Sequence, residues 1–466
     1  MLKNHIKDIL FRHIQFEPTE GQREAVDSLA EMMCSPSNRQ LMLLKGYAGT
    51  GKTSVISAFA RTLNDFKIRS LLMAPTGRAA KVLSAYSGEQ AFTIHKKIYR
   101  QKSSADGFGS FTLNFNTHNN TFFIVDEASM ISRYSMDGSI FGTGNLLDDL
   151  FKFVYNDRNC RLILIGDTAQ LPPVGQEESP ALDRRMLEGY GLEVFECELN
   201  EVVRQSQESG ILHNATIVRE LITRHQTGLP SLETECFSDT ERISGGDFIE
   251  TITEAYDKYG IDETIVVCRS NKQANRYNQG IRSRILYRDE ELTSDDYLMV
   301  VRNNYHWIND DENISFIANG DVVRVVRIRK HIERYDFRFA EVDLCLPDYN
   351  DYEFTAIIML DALCSEAASI TEEQNRRLYH SVAEDYAHIT VKAQRYKAIK
   401  ADPFFNALQV KFAYAVTCHK AQGGQWRCVF LDQGWIANDK LNVEYLRWLY
   451  TAITRATEKL YLVNFS

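Results

Sequence analysis

The sequence predicts an α/β fold: two parallel sheets wound by helices, a hairpin inserted in the first, and a small β-barrel with a helical arm inserted in the second. Three observations predict it. Short apolar runs alternate with helical stretches from Gln40 to about Cys197, and the pattern resumes from Thr264 to Phe465. Between about Asn313 and Pro403 the texture changes to alternating β-type segments. The length of 466 residues agrees, being too great for one ordinary core.

In the first unit, Leu41–Lys45, Leu71–Ala74, Phe122–Asp126 and Arg161–Asp167 read as buried strands, each followed by turn chemistry. Helical stretches such as TSVISAFARTL and RAAKVLSAY separate them. Gln101–Thr121 interrupts the alternation with Phe108, Phe111 and Phe115 spaced as in a hairpin, and it ends in the turn-prone THNN. In the second unit, Thr264–Cys268, Lys411–Thr417, Cys428–Asp432 and Lys459–Phe465 read as strands. The inserted segment carries DVVRVVRIRK, FRFAEVDL and EFTAIIML, then a polar helical stretch from about Thr371 to Lys400.

Hydrophobic content of 44% and charged content of 25% are those of a globular chain and exclude wholesale disorder. No apolar run approaches the roughly 18 residues that span a bilayer, and the N-terminus has no secretory pattern, so no membrane partner is expected. Nine scattered cysteines without a CxxC predict reduced thiols in a cytoplasmic protein and argue against a zinc ribbon or iron–sulfur cluster. The formal net charge of −10 excludes a polybasic coat. It does not say where the charge lies.

Gly46–Tyr47–Ala48–Gly49–Thr50–Gly51–Lys52–Thr53 matches GxxxxGK[ST] between a strand and a helix. That context suits its chemistry. Glycines let backbone amides wrap a phosphate, Lys52 reaches the β- and γ-phosphates of ATP, and the Thr53 hydroxyl ligates Mg²⁺. Such a loop needs an acid at a neighbouring strand end. Asp126 is placed to hold Mg²⁺ and Glu127 to polarise the attacking water. Gln170, in GDTAQLPPVG after the next strand, is a candidate γ-phosphate sensor.

Ten blocks in order, among them GYAGTGKT, APTGRAAKVL, TIHK, VDEASM, GDTAQLPPVG, LNEVVRQ, YAVTCHKAQGGQW and YTAITRA, resemble the superfamily 1 helicases of the RecD/Dda type, the branch that moves 5′→3′. The resemblance implies two RecA-like P-loop domains with ATP between them, a hairpin "pin" and an SH3-like barrel. It places the first RecA-like domain at residues 1–200 with the hairpin at 101–121. The second falls at 201–312 and 404–466, and the barrel with its arm at 313–403. By resemblance Gln22 contacts the adenine edge, while Arg204 and Arg455 reach the γ-phosphate from the second domain. An arginine in that role is worth about 10³–10⁵ in rate.

The resemblance also implies a groove for single-stranded DNA supplied by Pro75, Thr76, Thr93, His95, Asn271, Thr417, His419 and Lys420, with Gln422 linking it to the nucleotide. The expected partners are single-stranded DNA and single/double-strand forks, other DNA-processing proteins are candidates, and a monomer is expected. The hairpin phenylalanines either act at the fork or pack the hairpin onto its own domain. RNA or RNA–DNA substrates stay open, as does a P-loop assembly ATPase without unwinding activity.

The charge distribution fits such a groove. Residues 76–102 hold six Lys/Arg against Glu89 alone, and Arg269–Arg284 holds five basic residues and no acid. The surplus acid lies in Leu286–Asn313 and Glu341–Phe354. Local attraction acts over about a Debye length, so strand binding is expected to depend strongly on salt despite the acidic total.

Overall fold

The computed structural model describes residues 1–14, 16–101, 111–133, 142–156, 158–202, 208–308, 314, 316–367, 369–437 and 440–465. The strand β1 (Gln40–Gly46) sets the pattern of the first unit. Leu41 and Leu43 enter one apolar layer while Met42 and Leu44 enter another, so a period-two strand is apolar throughout because helices cover both faces. The chain continues through β2 (Arg69–Ala74), β3 (Ala91–Thr93), the hairpin β4 (Tyr99–Gln101) and β5 (Phe111–Leu113), β6 (Thr121–Val125), β7 (Arg161–Gly166) and β8 (Glu193–Leu199). A six-stranded parallel sheet results, in the order β3-β2-β6-β7-β1-β8. Its C-terminal edge carries the phosphate loop after β1 and the acids after β6 and β7.

The second unit runs through β9 (Thr240–Ile243), β10 (Thr264–Cys268), β11 (Tyr297–Val300), β12 (Val322–Arg334), β13 (Phe337–Leu346), β14 (Tyr352–Met359), β15 (Leu408–Phe412), β16 (Ala415–Thr417), β17 (Trp426–Asp432) and β18 (Ala456–Val463). A second parallel sheet has the order β16-β10-β17-β18-β9, and β11 to β15 close into a barrel. Two RecA-like sheets and an inserted barrel are the architecture the sequence predicts.

The barrel departs from the expected 313–403 insertion. It takes β11 from the acidic stretch before it, and its last strand, β15, ends on the first two residues of the apolar run Lys411–Thr417, read above as one strand of the second sheet. That run divides. Lys411 and Phe412 pair in the barrel, whereas Ala415–Thr417 pair with β10. Between them Tyr414 is buried, its hydroxyl donating to Asp296 Oδ1 at 2.9 Å and accepting from Arg288 Nη1 at 2.7 Å. Arg282 also donates to Asp296, at 3.0 and 2.9 Å. Burial alone would raise the Asp296 pKa, but hydrogen bonds from Arg282 and the Thr293 amide hold it below the usual carboxylate range. One apolar core joins Val266 and Phe430 of the second sheet to Val323 and Leu344 of the barrel.

The arm is a pair of helices, Glu372–Asp385 and Lys392–Ala401. Leu378, Val382 and Ile399 pack it onto Phe337 and Phe339 of the barrel. In the hairpin, Phe111 is buried with its ring 4.5 Å from Tyr305 and 6.2 Å from Phe316. Phe115 is 76% exposed, with the Arg100 guanidinium 5.3 Å above its ring. Phe108 lies outside the described residues.

Candidate nucleotide site and strand groove

Two backbone features bend the loop between β1 and the helix Lys52–Asp65. Gly49 and Gly51 adopt φ of +74° and +80°, which L side chains rarely adopt. A Cβ on Gly49 would also lie 2.9 Å from Leu212 Cδ1, so this glycine permits the second domain's helix Gly210–Thr223 to touch the loop. Ala48, Gly49, Gly51, Lys52 and Thr53 line a cleft of about 460 Å³, facing Asp126, Glu127, Asp167 and Gln170 of the same domain and Thr454 and Arg455 of the other. Lys52 Nζ donates to the carbonyls of Gly46 and Tyr47, each at 2.8 Å, and these hold it folded back over the loop.

Three expected nucleotide ligands stand behind the loop instead of lining the cleft. Gly46 is packed against Leu199, and the buried Thr50 donates its hydroxyl to the Tyr47 carbonyl at 2.8 Å. Gln22 is fully buried. Its Oε1 accepts from the Thr19 amide at 3.1 Å, and its Nε2 donates to the Thr50 carbonyl at 2.8 Å. In this structure the Gln22 amide therefore faces the phosphate loop and not the cleft. Its position in the capping box of the helix Glu20–Cys34 turns the amide toward the phosphate loop, which it braces.

Asp126 follows β6 and is pushed up to about 6, first by burial and then by the neighbouring Glu127 carboxylate. Glu127 occupies the left-handed region, φ +52°, and its amide donates to Asp126 Oδ1 at 2.8 Å. Arg455 Nη1 lies 3.8 Å from Glu127 Oε1. Gln170 stands between them. With the amide orientation its neighbours select, its nitrogen donates to Glu127 Oε2 at 3.3 Å and its oxygen accepts from Arg455 Nη2 at 3.2 Å. Arg455 is 2% exposed and donates further to the carbonyls of Thr451 at 2.9 Å and Gly424 at 3.1 Å. Arg204, the other arginine expected here, lies outside the described residues.

Several contributors other than Gln422 escaped the sequence reading. The Tyr450 hydroxyl accepts from the Ala48 amide at 2.8 Å and donates to Asp167 Oδ2 at 2.7 Å, so a second-domain phenol bridges the phosphate loop and the end of β7. Leu171 is held twice: its amide donates to Thr451 Oγ1 at 2.9 Å, and its carbonyl accepts from Gln422 Nε2 at 2.7 Å. Tyr450 and Thr451 belong to the same YTAITRA block as Arg455, which was the signal available for them.

The strand-groove candidates sit at matching places in the two sheets. Ala74 and Thr93 are register partners at the ends of β2 and β3, as Cys268 and Thr417 are at the ends of β10 and β16. Each strand end opens a helix. Thr76 Oγ1 accepts from the Ala79 amide at 3.2 Å and Thr93 Oγ1 from Lys96 at 3.3 Å, with Pro75 just before the first cap. Ser270 caps the helix that begins at Asn271, and Thr417 precedes Cys418–Ala421, which carries the exposed His419 and the half-buried Lys420. Lys420 is hydrogen-bonded to Asn319 of the barrel unit. Burial pushes His95 down to about 4, and its half-buried ring packs between Tyr99 (5.7 Å) and Phe316 (6.5 Å), at the foot of the hairpin.

Residues 17–246 match the family model described as an AAA domain, and residues 412–463 that of the UvrD-like helicase C-terminal domain. An uncharacterized protein, R530 of Acanthamoeba polyphaga mimivirus, is 24% identical, over 94% of this chain and 98% of its own length. The ATP-dependent DNA helicase dda of Enterobacteria phage T4 is 25% identical, over 66% of this chain and 67% of its own. The crystal structure of the Bacteroides Pif1 helicase in complex with ADP-AlF3 and single-stranded DNA aligns at 14% identity over 97% of this chain and 93% of that one, with a TM-score of 0.46.

Proposed function

We infer the reaction from one premise: the chain belongs to the superfamily 1 helicases of the RecD/Dda type, the branch that moves 5′→3′. It is an ATP-dependent DNA helicase. We propose a role for each of the cleft residues in that reaction. One observation carries these roles: Arg455 of the second domain reaches Glu127 of the first across the cleft that holds the phosphate loop.

ATP phosphates lie on the amides of Gly49 and of Gly51 to Thr53, and Lys52 exchanges the loop carbonyls for phosphate oxygens. Glu127 takes the proton of the attacking water. Arg455, with Arg204 in the role its motif gives it, neutralises charge on the transferred phosphoryl group. Gln170, bonded to both Glu127 and Arg455, reports phosphate loss to both domains. Thr53 and Asp126 suit Mg²⁺, because a buried carboxylate with a raised pKa gains its charged form beside a cation. Bound there, the ion neutralises charge on the phosphates.

Closure of the cleft around ATP and its reopening after hydrolysis alternate the grip of the two sets of helix starts on single-stranded DNA. Base-pair stacking averages about 1.4 kcal/mol per step, so coupling across the cleft, not energy, limits the reaction. Forked DNA is the substrate, the protein acts as a monomer, and other DNA-processing proteins are candidate partners. The cytoplasm suits its nine free cysteines. Among the described residues no helix is long and apolar enough to cross a membrane.

Strand displacement on duplexes with a 5′ or a 3′ tail tests this function. Unwinding from the 5′ tail alone is expected, and unwinding from the 3′ tail alone would overturn the direction. ATP turnover stimulated more by RNA than by matched single-stranded DNA would move the substrate to RNA. No stimulation by either would favour an assembly ATPase.

A further inference from the structure

Arg78 belongs to the APTGRAAK motif but has no role among the site residues above. It crosses from the first domain to the second, where its guanidinium carbon lies 4.1 Å from the centre of the Trp426 ring and its Nη2 donates to the Gln425 carbonyl at 3.0 Å. The contact is both a cation–π stack and a directed hydrogen bond, a combination that the planar guanidinium fork suits better than a point-charge ammonium. Gly424 permits it, since a Cβ there would lie 2.5 Å from Trp426 Cη2 and 3.1 Å from Arg78 Cδ. The gripped segment also holds Arg455. The Gly424 carbonyl accepts from Arg455 Nη1 at 3.1 Å, and the Trp426 amide donates to the Arg455 carbonyl at 2.9 Å. At its other end Arg78 lies two residues from Thr76, in the first turn of the helix that Thr76 caps.

We propose that Arg78 is a positioning residue: it ties the strand-facing helix Gly77–Ser87 to residues 424–426 and thereby fixes Arg455 against Glu127. A strand phosphate that seats on the Thr76 helix start sets the position of Arg78, and the strap transmits that position to the catalytic cleft. The inference rests on the helicase reading, and it differs from a phosphate contact by Arg78 itself, since the guanidinium is engaged by the other domain.

The test is ATP turnover at saturating single-stranded DNA, beside strand affinity, for wild type, Arg78→Ala, Arg78→Lys, Trp426→Phe and Trp426→Ala. Small misplacements of a reacting group cost up to about a hundredfold, so Arg78→Ala is expected to lower kcat by about tenfold to a hundredfold while the strand Kd stays within about threefold. Trp426→Phe keeps an aromatic face and is expected to retain most of kcat, whereas Arg78→Lys loses the hydrogen bond and is not. Arg78→Ala combined with Trp426→Ala should lose no more than the worse single variant. A strand Kd that rises with kcat unchanged would make Arg78 a phosphate contact and overturn the proposal. Additive losses or wild-type turnover would overturn it as well. Wild-type protein whose turnover ignores DNA would instead remove the helicase premise, a separate result.

Discussion

Arg455 Nη1 stands 3.8 Å from Glu127 Oε1, and the two side chains come from different domains. At that distance the two form an ion pair, which a transferred phosphoryl group would have to part in order to sit between them. Arg455→Ala is expected to lower kcat by about 10³–10⁵ with little change in nucleotide affinity, as steady-state turnover and nucleotide titration would show. Weaker nucleotide binding with normal kcat would contradict the assignment.

Lys52→Ala is expected to abolish ATP turnover while leaving strand binding measurable. Its ammonium already bonds the Gly46 and Tyr47 carbonyls, so removal also relaxes the loop. Substantial turnover by that variant would refute the phosphate site.

The two described hairpin phenylalanines should separate cleanly. Phe111→Ala opens a packed contact with Tyr305 and Phe316 and should cost about 3–5 kcal/mol of stability in denaturant titration. Phe115→Ala removes an exposed ring, so its stability should stay within about 0.5 kcal/mol while strand displacement slows. If Phe115→Ala unwinds forks at the normal rate, the exposed ring has no part at the fork.

Asp296 is an anchor for the barrel. Asp296→Ala leaves Arg282 and Arg288 without their buried partner and should destabilise by about 3–5 kcal/mol. Because its folded pKa is depressed, its contribution is complete above the unfolded value and is lost as pH falls through the folded one. Acid titration of wild type against the variant should show their stabilities converging only on the acid side.

The basic stretches predict how strand binding responds to salt. The logarithm of affinity should fall against the logarithm of salt with a slope of about −0.7 per phosphate neutralised. A flat response between about 50 and 200 mM would contradict a phosphate groove.

Much of this was legible because it is local. A phosphate loop is a run of eight residues, and Asp126 and Glu127 follow an unmistakable apolar strand. Alternation of strands with helices gave both sheets. What escaped depends on distant partners. Gln22 reads as a free amide until its two bonds, to Thr19 and Thr50, are seen. Tyr450 and Arg78 acquire meaning only across the cleft. Lys411–Thr417 looks like one strand because apolar residues fill it, yet Ala413 and Tyr414 divide it between two sheets.

That division has a mechanical consequence. Only two residues separate the last barrel strand from the strand beside β10, and a shared core fills the space between barrel and sheet. No slack exists there for the barrel to lag. A rotation of the second sheet would carry the barrel with it, as a rim follows its hub, and would load the contact that Tyr305 and Phe316 make with Phe111 of the hairpin. Such a rotation would reach the hairpin as well as the helix starts of the second sheet.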